Sequence, residues 1–216
     1  MSNSDNNLID FTRIKQPKVR ALLLDNGLKS LDDLSKLRSL CYHESDGKHY
    51  YRHTKSFLVD ADIHALWNAY KTVNPQETRS GRMVSFGMMY SRKQHAIMYP
   101  GDVYSGIEEG QILFLNLNLF ANAVHLAVGH EITGVNDTEM TIKICYLQNG
   151  ASEGTQLISL RESGNNQTEV IHDTWYRSGS IFRDRILYPG FHAKGLTEFH
   201  DNVKRKVQES AAYKLS

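Results

Sequence analysis

The sequence predicts an α+β fold in which a curved antiparallel β-sheet is gripped by a long C-terminal helix, with a short helical appendage at the N-terminus. The stretch QILFLNLNLF, residues 111–120, alternates its side chains with the period of a strand. Four more β-rich stretches follow, joined by short connections rich in Gly, Asn and Asp, which favours antiparallel hairpins. From His192 to Val207, apolar positions recur every three or four residues and predict one helix with a buried stripe.

Two short helices are predicted in the N-terminal appendage. The stretch PKVRALLLDNG starts with Pro17 and ends at Asn26-Gly27, the usual order of helix start and stop signals. Ser30 is an N-cap candidate with Asp33 three places on, followed by leucines at helical spacing up to Leu40. The first ten residues carry little apolar surface, so we expect them to be frayed. The polar break YHESDGK then separates an appendage, residues 1–47, from the main domain, residues 48–216.

The main domain is predicted to begin with a strand over 50–59 and then a helix for which either Asp60 or Asp62 is available as the cap. Within residues 111–120 the leucines share one face, which we expect to be buried. The four later strands are predicted to start at Val124, Thr138, Thr155 and Thr168 and to form a meander. After a turn at YPG, residues 188–190, the final helix is predicted to run to about residue 209.

Composition and charge exclude several classes of partner. The chain has 25 Lys plus Arg against 24 Asp plus Glu, a formal net charge of +1, so no overall field favours nucleic acid or an anionic membrane. Three basic residues at 204–206 are better explained as the exposed end of a helix. The start of the chain lacks a secretory signal and no stretch is apolar enough to span a membrane, so we expect a soluble, cytoplasmic protein.

The two cysteines, Cys41 and Cys145, are far apart and form no CxxC pair. A thiolate zinc site and a disulfide framework are therefore not predicted, and we expect both thiols to be reduced and structural. Nucleophile-elbow, P-loop and dinucleotide-binding motifs are also missing from the sequence, so no cofactor is predicted.

The order of strand, helix, antiparallel meander and C-terminal helix resembles the START-like superfamily, also called the helix-grip or Bet v 1-like fold, which includes polyketide cyclase-like proteins. The resemblance lies in KHYYRHTKSFLVDADIHALWNAY and FHAKGLTEFHDNVKRKV and extends over residues 48–209. It is one of pattern more than of exact motif. The chain departs from it in its appendage and in showing one clear helix after the first strand where two are usual; residues 72–81 could hide the second.

The resemblance implies a hydrophobic cavity between the sheet and the last helix, used by relatives to bind lipids, steroids, hormones or polyketides and in some cases to cyclise them. It implies no shared catalytic set. We expect this cavity to be lined by Leu115, Leu117, His130, Ile142, Tyr146, Tyr176, His192, Leu196 and Phe199. His192 is the candidate for a catalytic role, because it lies on the apolar stripe of the helix above the cavity. A histidine bonded only to the protein is the alternative for that position.

The histidines do not predict a metal site. His192 and His200 are eight residues apart on a helix, so their Cα atoms should be ~12 Å apart, too far to share one ion. A site built from His125, His130 and His172 across strands is the remaining arrangement, and we predict no metal. Charged and aromatic residues over 173–190 suit either a lid at the cavity mouth or a solvated loop.

Three functions are compatible with these features. The first is binding of a small, largely apolar molecule; the second is a cyclase or dehydratase-type enzyme with a cavity histidine as general base. The third is a protein-interaction module in which side chains fill the cavity. Ile112, Phe114 and Phe120 are apolar on the face opposite the leucines, so either the N-terminal helices or the second subunit of a homodimer should cover them.

Overall fold

The structure is a computed structural model. It describes residues 7–120, 123–164 and 166–215, with side chains described up to residue 209.

The strands of the described chain form one antiparallel sheet. In chain order they are β1 (Ser39–Leu40), β2 (Tyr51–Val59), β3 (Val84–Ser91), β4 (Ala96–Met98), β5 (Gln111–Leu119), β6 (Val124–Asn136), β7 (Thr141–Leu147), β8 (Glu153–Glu162) and β9 (Thr168–Arg177). Their order across the sheet is β2-β9-β8-β7-β6-β5-β3-β4, and β1 pairs with the end of β7. The consecutive pairing of β5 through β9 confirms the predicted meander.

The helices flank this sheet on both sides. They are α1 (Pro17–Asp25), α2 (Leu31–Ser35), α3 (Ile63–Thr72), α4 (Pro75–Thr78) and α5 (Tyr188–Leu215), with short 3₁₀ turns at Phe11–Arg13 and Glu44–Asp46 and a π-helical turn at Arg183–Leu187. The second helix that residues 72–81 could hide is α4. The sheet and α5 together confirm the predicted fold class.

Helix α5 lies across the sheet, and hydrogen bonds in its first half tie it to β2 and to the start of β3. On one side, the Lys55 ammonium on β2 donates to the Ala193 carbonyl (3.2 Å) and to the Thr197 hydroxyl. On the other side, the Glu198 carboxylate accepts hydrogen bonds from the backbone N–H groups of Met83 (2.9 Å) and Val84 (2.9 Å) where β3 begins. These hydrogen bonds help to fix the position of the helix over the sheet.

The predicted stripe of α5 faces the sheet. Leu196, Phe199 and Val203 are buried, while His192 and Val207 are partly buried. Phe199 and Val203 join a core cluster that also contains Leu113 and Leu115 from the leucine face of β5. Both of these leucines are buried, as predicted, whereas Leu117 and Leu119 are only partly covered.

The N-terminal segment covers the other face of the sheet. Ile112 and Phe114 are 0% and 2% exposed in a second cluster with Val19, Leu23 and Leu34. Of the two covers predicted for this face, the N-terminal helices are the one present. Phe120 is 51% exposed and contacts the ring of Phe191 edge to face. The division of the chain at residue 47 stays a prediction.

Two N-terminal predictions are corrected. Residues 1–6 of the stretch expected to fray lie outside the described chain, but Ile9 is buried and its N–H donates to the Lys29 carbonyl, because a backbone bridge between Leu8 and Ser30 holds it there. Helix α2 has the predicted Ser30–Asp33 capping box yet ends at Ser35. Leu40 lies on β1 instead, since pairing with β7 supplies the backbone hydrogen bonds that the helix would have supplied.

The cysteines and the start of the last helix also differ from prediction. Cys41 and Cys145 form a disulfide, because β1 runs along the end of β7 and brings them together, a long-range pairing that the sequence does not show. The residues at YPG are helical, not a turn: the Tyr188 N–H bonds back to the Arg183 carbonyl in a wide turn. Such a turn at the start of a helix accommodates Pro189, which has no N–H to contribute.

Candidate ligand cavity and buried histidine network

A cavity of about 180 Å³ lies between the sheet and α5. Six of the predicted residues line it: Leu115, Leu117, His130, Tyr146, His192 and Leu196. Apolar side chains of β3, β5, β6 and α5 line much of the rest, the polar side chains of Arg79, Gln156 and Arg183 also contribute, and the half-exposed Phe120 lies at its rim. The strand period places these side chains on one face of the sheet, where α5 roofs them.

The other three predicted residues lie elsewhere. Ile142 and Phe199 line a smaller cavity of about 50 Å³. Tyr176 lines neither of these two cavities and stacks on the ring of Tyr188, with 3.7 Å between ring centroids. Leu115 and His130 line both cavities, so the two spaces share a wall.

A chain of hydrogen bonds runs through the core beside the cavities and joins six side chains from five elements. Its members, in order, are Tyr70 on α3, His200 on α5, His172 on β9, Gln156 on β8, Tyr146 on β7 and Tyr188 at the start of α5. The Tyr70 hydroxyl lies 2.5 Å from His200 Nδ1, and His200 Nε2 lies 2.9 Å from His172 Nδ1. His172 Nε2 is 3.0 Å from Gln156 Oε1.

The Gln156 amide gives this chain a direction. Its oxygen can only accept, so His172 Nε2 carries a proton and donates to it. His172 Nδ1 then accepts from His200 Nε2–H, and His200 Nδ1 accepts from the Tyr70 hydroxyl. At the other end the Gln156 amide N–H donates to the Tyr146 hydroxyl (3.2 Å), which pairs with the Tyr188 hydroxyl. Every bond is therefore made with both imidazoles neutral.

Burial keeps these imidazoles neutral. Desolvation, followed by the charge of Arg79, lowers the pKa of His200 to about 3. Desolvation also lowers the pKa of His172 well below its ordinary value, with nearby His200 contributing in the same direction. Both residues are almost fully buried, at 2% and 1% exposed, so a charged ring there would lose its hydration without gaining a counter-charge.

Two cavity histidines stand outside this chain. The Nε2 atoms of His130 and His192 are shielded from solvent and have no hydrogen-bond partner among the described residues. His192 Nδ1 lies 3.2 Å from His53 Nδ1, and the His192 ring stacks on Tyr188. Burial lowers the pKa of His130 to about 3 and that of His192 well below its ordinary value. Each ring can therefore offer a neutral imidazole nitrogen to a bound molecule.

Sequence reasoning missed several residues around this site: Arg79, Tyr70, Gln156, Tyr188, His53 and His200. The sequence does indicate that His200 is buried, since it is four residues after Leu196 and three before Val203 and so belongs to the same buried stripe. No sequence pattern indicates a role for Gln156 or Arg79, because their positions depend on tertiary packing. Among the described residues no group of three or more His, Cys, Asp or Glu side chains could hold a metal ion. In the same part of the chain, no helix is long and apolar enough to cross a membrane.

Comparison with known proteins supports the fold. No protein-family model and no curated protein sequence matches the chain. Among solved structures, norcoclaurine synthase from Thalictrum flavum in complex with dopamine and hydroxybenzaldehyde matches with a TM-score of 0.54 at 13% identity, over 74% of this chain and 88% of that one. Major latex-like protein 151 from Panax ginseng matches with a TM-score of 0.53 at 7% identity, over 73% and 97%.

A third similar structure is an aromatase/cyclase from Streptomyces sp. R1128, with a TM-score of 0.52 at 9% identity over 76% of this chain and 96% of that one. All three are helix-grip, Bet v 1-like proteins. The chain therefore has the helix-grip fold, as its sequence pattern predicted, with the N-terminal segment in addition. By their names, two of the three are enzymes, a synthase and an aromatase/cyclase.

Proposed function

We propose that the protein binds a small, largely apolar molecule in the cavity between the sheet and α5. The observation that supports this most is the cavity of about 180 Å³, whose walls are apolar except for a few polar groups. An apolar cavity of about 150 Å³ is already large enough to hold a benzene ring. Removing apolar ligand surface from water favours binding by about 25 cal/mol per Å².

The nitrogens of His130 and His192 support the same proposal. A buried polar atom without a partner costs about 1–3 kcal/mol, and that cost is relieved when a ligand supplies the missing hydrogen bond. Both atoms lack a partner in the described chain, and both residues line the main cavity. They would orient the ligand, while the leucine face of β5 would supply most of the binding free energy.

Fluorescence titration with the neutral probe N-phenyl-1-naphthylamine tests the proposal. We expect saturable binding that weakens at least about tenfold in Leu196→Trp, because the new indole would fill the cavity from its roof. Lys194→Trp is the matched control: it places the same side chain at an exposed position of the same helix and should leave binding unchanged. Lack of saturable binding to the folded native protein would contradict the proposal.

The second candidate function is an enzyme of the cyclase or dehydratase type with His192 or His130 as general base. The two partnerless Nε2 atoms in one cavity favour it. Their lowered pKa argues against it, because a base works best with a pKa near the working pH. Histidine titration by ¹⁵N NMR with a bound ligand separates the two: a pKa near 7 for either ring would favour the enzyme, and a ring that stays neutral down to about pH 5 would favour binding.

The interaction-module alternative has less support, since the space beneath α5 is not filled by side chains. A homodimer and the absence of nucleic acid as a partner remain proposals, to be tested by sedimentation and by a DNA-binding titration. A cytoplasmic location also remains a proposal. The Cys41–Cys145 disulfide counts against a cytoplasmic location, because cysteines of cytosolic proteins are usually kept in the reduced thiol form. Thiol labelling of the protein in freshly lysed host cells measures the cysteine state directly.

A further inference from the structure

Arg79 places a positive charge in the mostly apolar region between the sheet and α5. It follows α4 and lines both the main and the smaller cavity, together with Leu115 and His130. Its guanidinium carbon lies 4.0 Å from the centroid of the Phe199 ring, beneath the middle of α5. Burial lowers the pKa of Arg79 to about 10, although its side chain is only partly shielded from solvent.

No carboxylate of the described residues compensates this charge. Arg79 takes part in none of the ion pairs between described side chains, and its guanidinium makes no hydrogen bond to them. The nearby phenol of Tyr70 does not compensate it either, because burial raises the pKa of that phenol and keeps it neutral. Glu198 is the acidic side chain of α5 near this region, but its carboxylate is already bonded to the backbone of Met83 and Val84.

A buried guanidinium normally pairs with a carboxylate or phosphate, because the loss of hydration is costly without a counter-charge. Its planar set of donors matches a carboxylate better than any neutral group. The histidines around it cannot supply the counter-charge, because an imidazole is either neutral or positive. The charge of Arg79, after burial, also lowers the pKa of His130 and His200. None of the described side chains supplies that anion, so a molecule bound in the cavity is the candidate partner.

We propose that the cavity ligand carries a carboxylate group that pairs with Arg79 while its apolar body lies against Leu115 and Leu196. This inference rests on the proposed binding function and narrows the ligand to the class of small aromatic or alicyclic acids. Arg183 is the other arginine on the cavity wall, but it already donates to the Ala151 carbonyl and to the Ser152 hydroxyl. It therefore has hydrogen-bond partners that Arg79 lacks, although its own Nε is buried without a partner among the described residues.

Calorimetric titration with 2-naphthoate and 2-naphthamide tests the proposal, because the two molecules share shape and differ in charge. We expect the native protein to bind 2-naphthoate about tenfold or more tightly than 2-naphthamide. Arg79→Met should abolish that preference and leave the affinity for 2-naphthamide within about threefold, whereas Arg79→Lys should keep part of it. Arg183→Met is the control that removes the other cavity arginine, and it should keep the preference.

The outcomes separate this inference from the proposed function. Equal affinity of the native protein for the two compounds, or a preference that survives in Arg79→Met, overturns the carboxylate inference and leaves apolar binding standing. Failure of both compounds to bind overturns both. A preference lost in Arg183→Met alone would place the anion at the cavity mouth and overturn the role of Arg79.

Thermal unfolding gives a second readout that does not need a ligand. If Arg79 is held for a ligand, Arg79→Met should leave Tm unchanged or raise it, because a poorly hydrated charge is removed. A fall in Tm of about 5 °C or more would mean that its contact with Phe199 stabilises the fold, and would count against a binding role.

Discussion

The histidines beneath α5 fall into two groups by what their nitrogens contact. His172 and His200 have both ring nitrogens in a hydrogen-bond chain that ends at tyrosines, so their role is met within the protein. His130 and His192 each have one nitrogen without a protein partner, and both line the main cavity. The first group therefore stabilises one arrangement of the core, and the second is available to a ligand.

The buried histidines make stability fall on mild acidification. Their folded pKa values lie below the ordinary value of 6.5, at about 3 for His130 and His200. Below about pH 6.5 the unfolded chain takes up protons that the folded protein does not, so each such histidine lowers the free energy of unfolding by up to about 1.4 kcal/mol per pH unit. We expect urea unfolding to show this loss between about pH 7 and pH 5.

His130→Leu isolates one contribution, because the Nε2 atom of His130 has no protein partner to disturb. The variant should unfold with a shallower pH dependence than the native protein over the same range. His125→Gln changes an exposed histidine and should leave that dependence as it was. A pH profile that is flat in the native protein would contradict neutral buried histidines.

Gln156 is the residue on which the hydrogen-bond chain depends most, because it joins His172 to Tyr146. Gln156→Leu keeps a similar volume but leaves the buried His172 Nε2–H without an acceptor and removes one of the two hydrogen bonds of the Tyr146 hydroxyl, so the free energy of unfolding should fall by about 2 kcal/mol or more. Gln94→Leu makes the same change at an exposed position and should cost less than about 0.5 kcal/mol. Equal costs in urea unfolding would show that the chain contributes nothing to stability.

At the scale of elements, periodicity predicted the strands and the final helix because each presents one apolar face to the core. Val203 on α5 and Leu113 on β5 are buried as the pattern requires. The pattern failed where long-range pairing decided the outcome. Leu40 lies on β1, and Cys41 is bonded to Cys145, because β1 pairs with β7. Arg79 lies in the cavity wall because of tertiary packing. The candidate site was therefore predicted in its apolar walls and missed in most of its polar groups.

The contact of α5 with the sheet should be measurable at Phe199, which is 8% exposed and belongs to the main core cluster. Phe199→Ala should lower the free energy of unfolding by about 3 kcal/mol or more, since it removes a buried ring and leaves a cavity. Lys194→Ala, at an exposed position of the same helix, should stay within about 0.5 kcal/mol of the native protein. A loss below about 1 kcal/mol at Phe199 would mean that the helix does not pack as described.

At the scale of the whole molecule, the sheet is covered on one face by α5 and on the other by the N-terminal segment. The second cover buries Ile112, Phe114 and Tyr90, which would otherwise form an exposed apolar patch. The Cys41–Cys145 disulfide ties the end of this segment to β7 in the middle of the sheet. The cavity face and the covered face share β5 and β6, so loss of the cover should also loosen the cavity wall.

The disulfide should therefore contribute to the stability of the whole fold. It closes a loop with a sequence separation of 104, and a bond that closes so long a loop restricts the unfolded chain strongly. The double variant Cys41→Ser, Cys145→Ser should lose about 2–4 kcal/mol in urea unfolding under oxidising conditions, and reduction of the native protein should cause a similar loss. Adding reductant to the double variant is the control and should change nothing. The N-terminal cover would be released first in the variant, so N-phenyl-1-naphthylamine should bind there at additional, weaker sites. If the variant instead keeps native stability and has a single class of probe site, the segment stays in place without the disulfide.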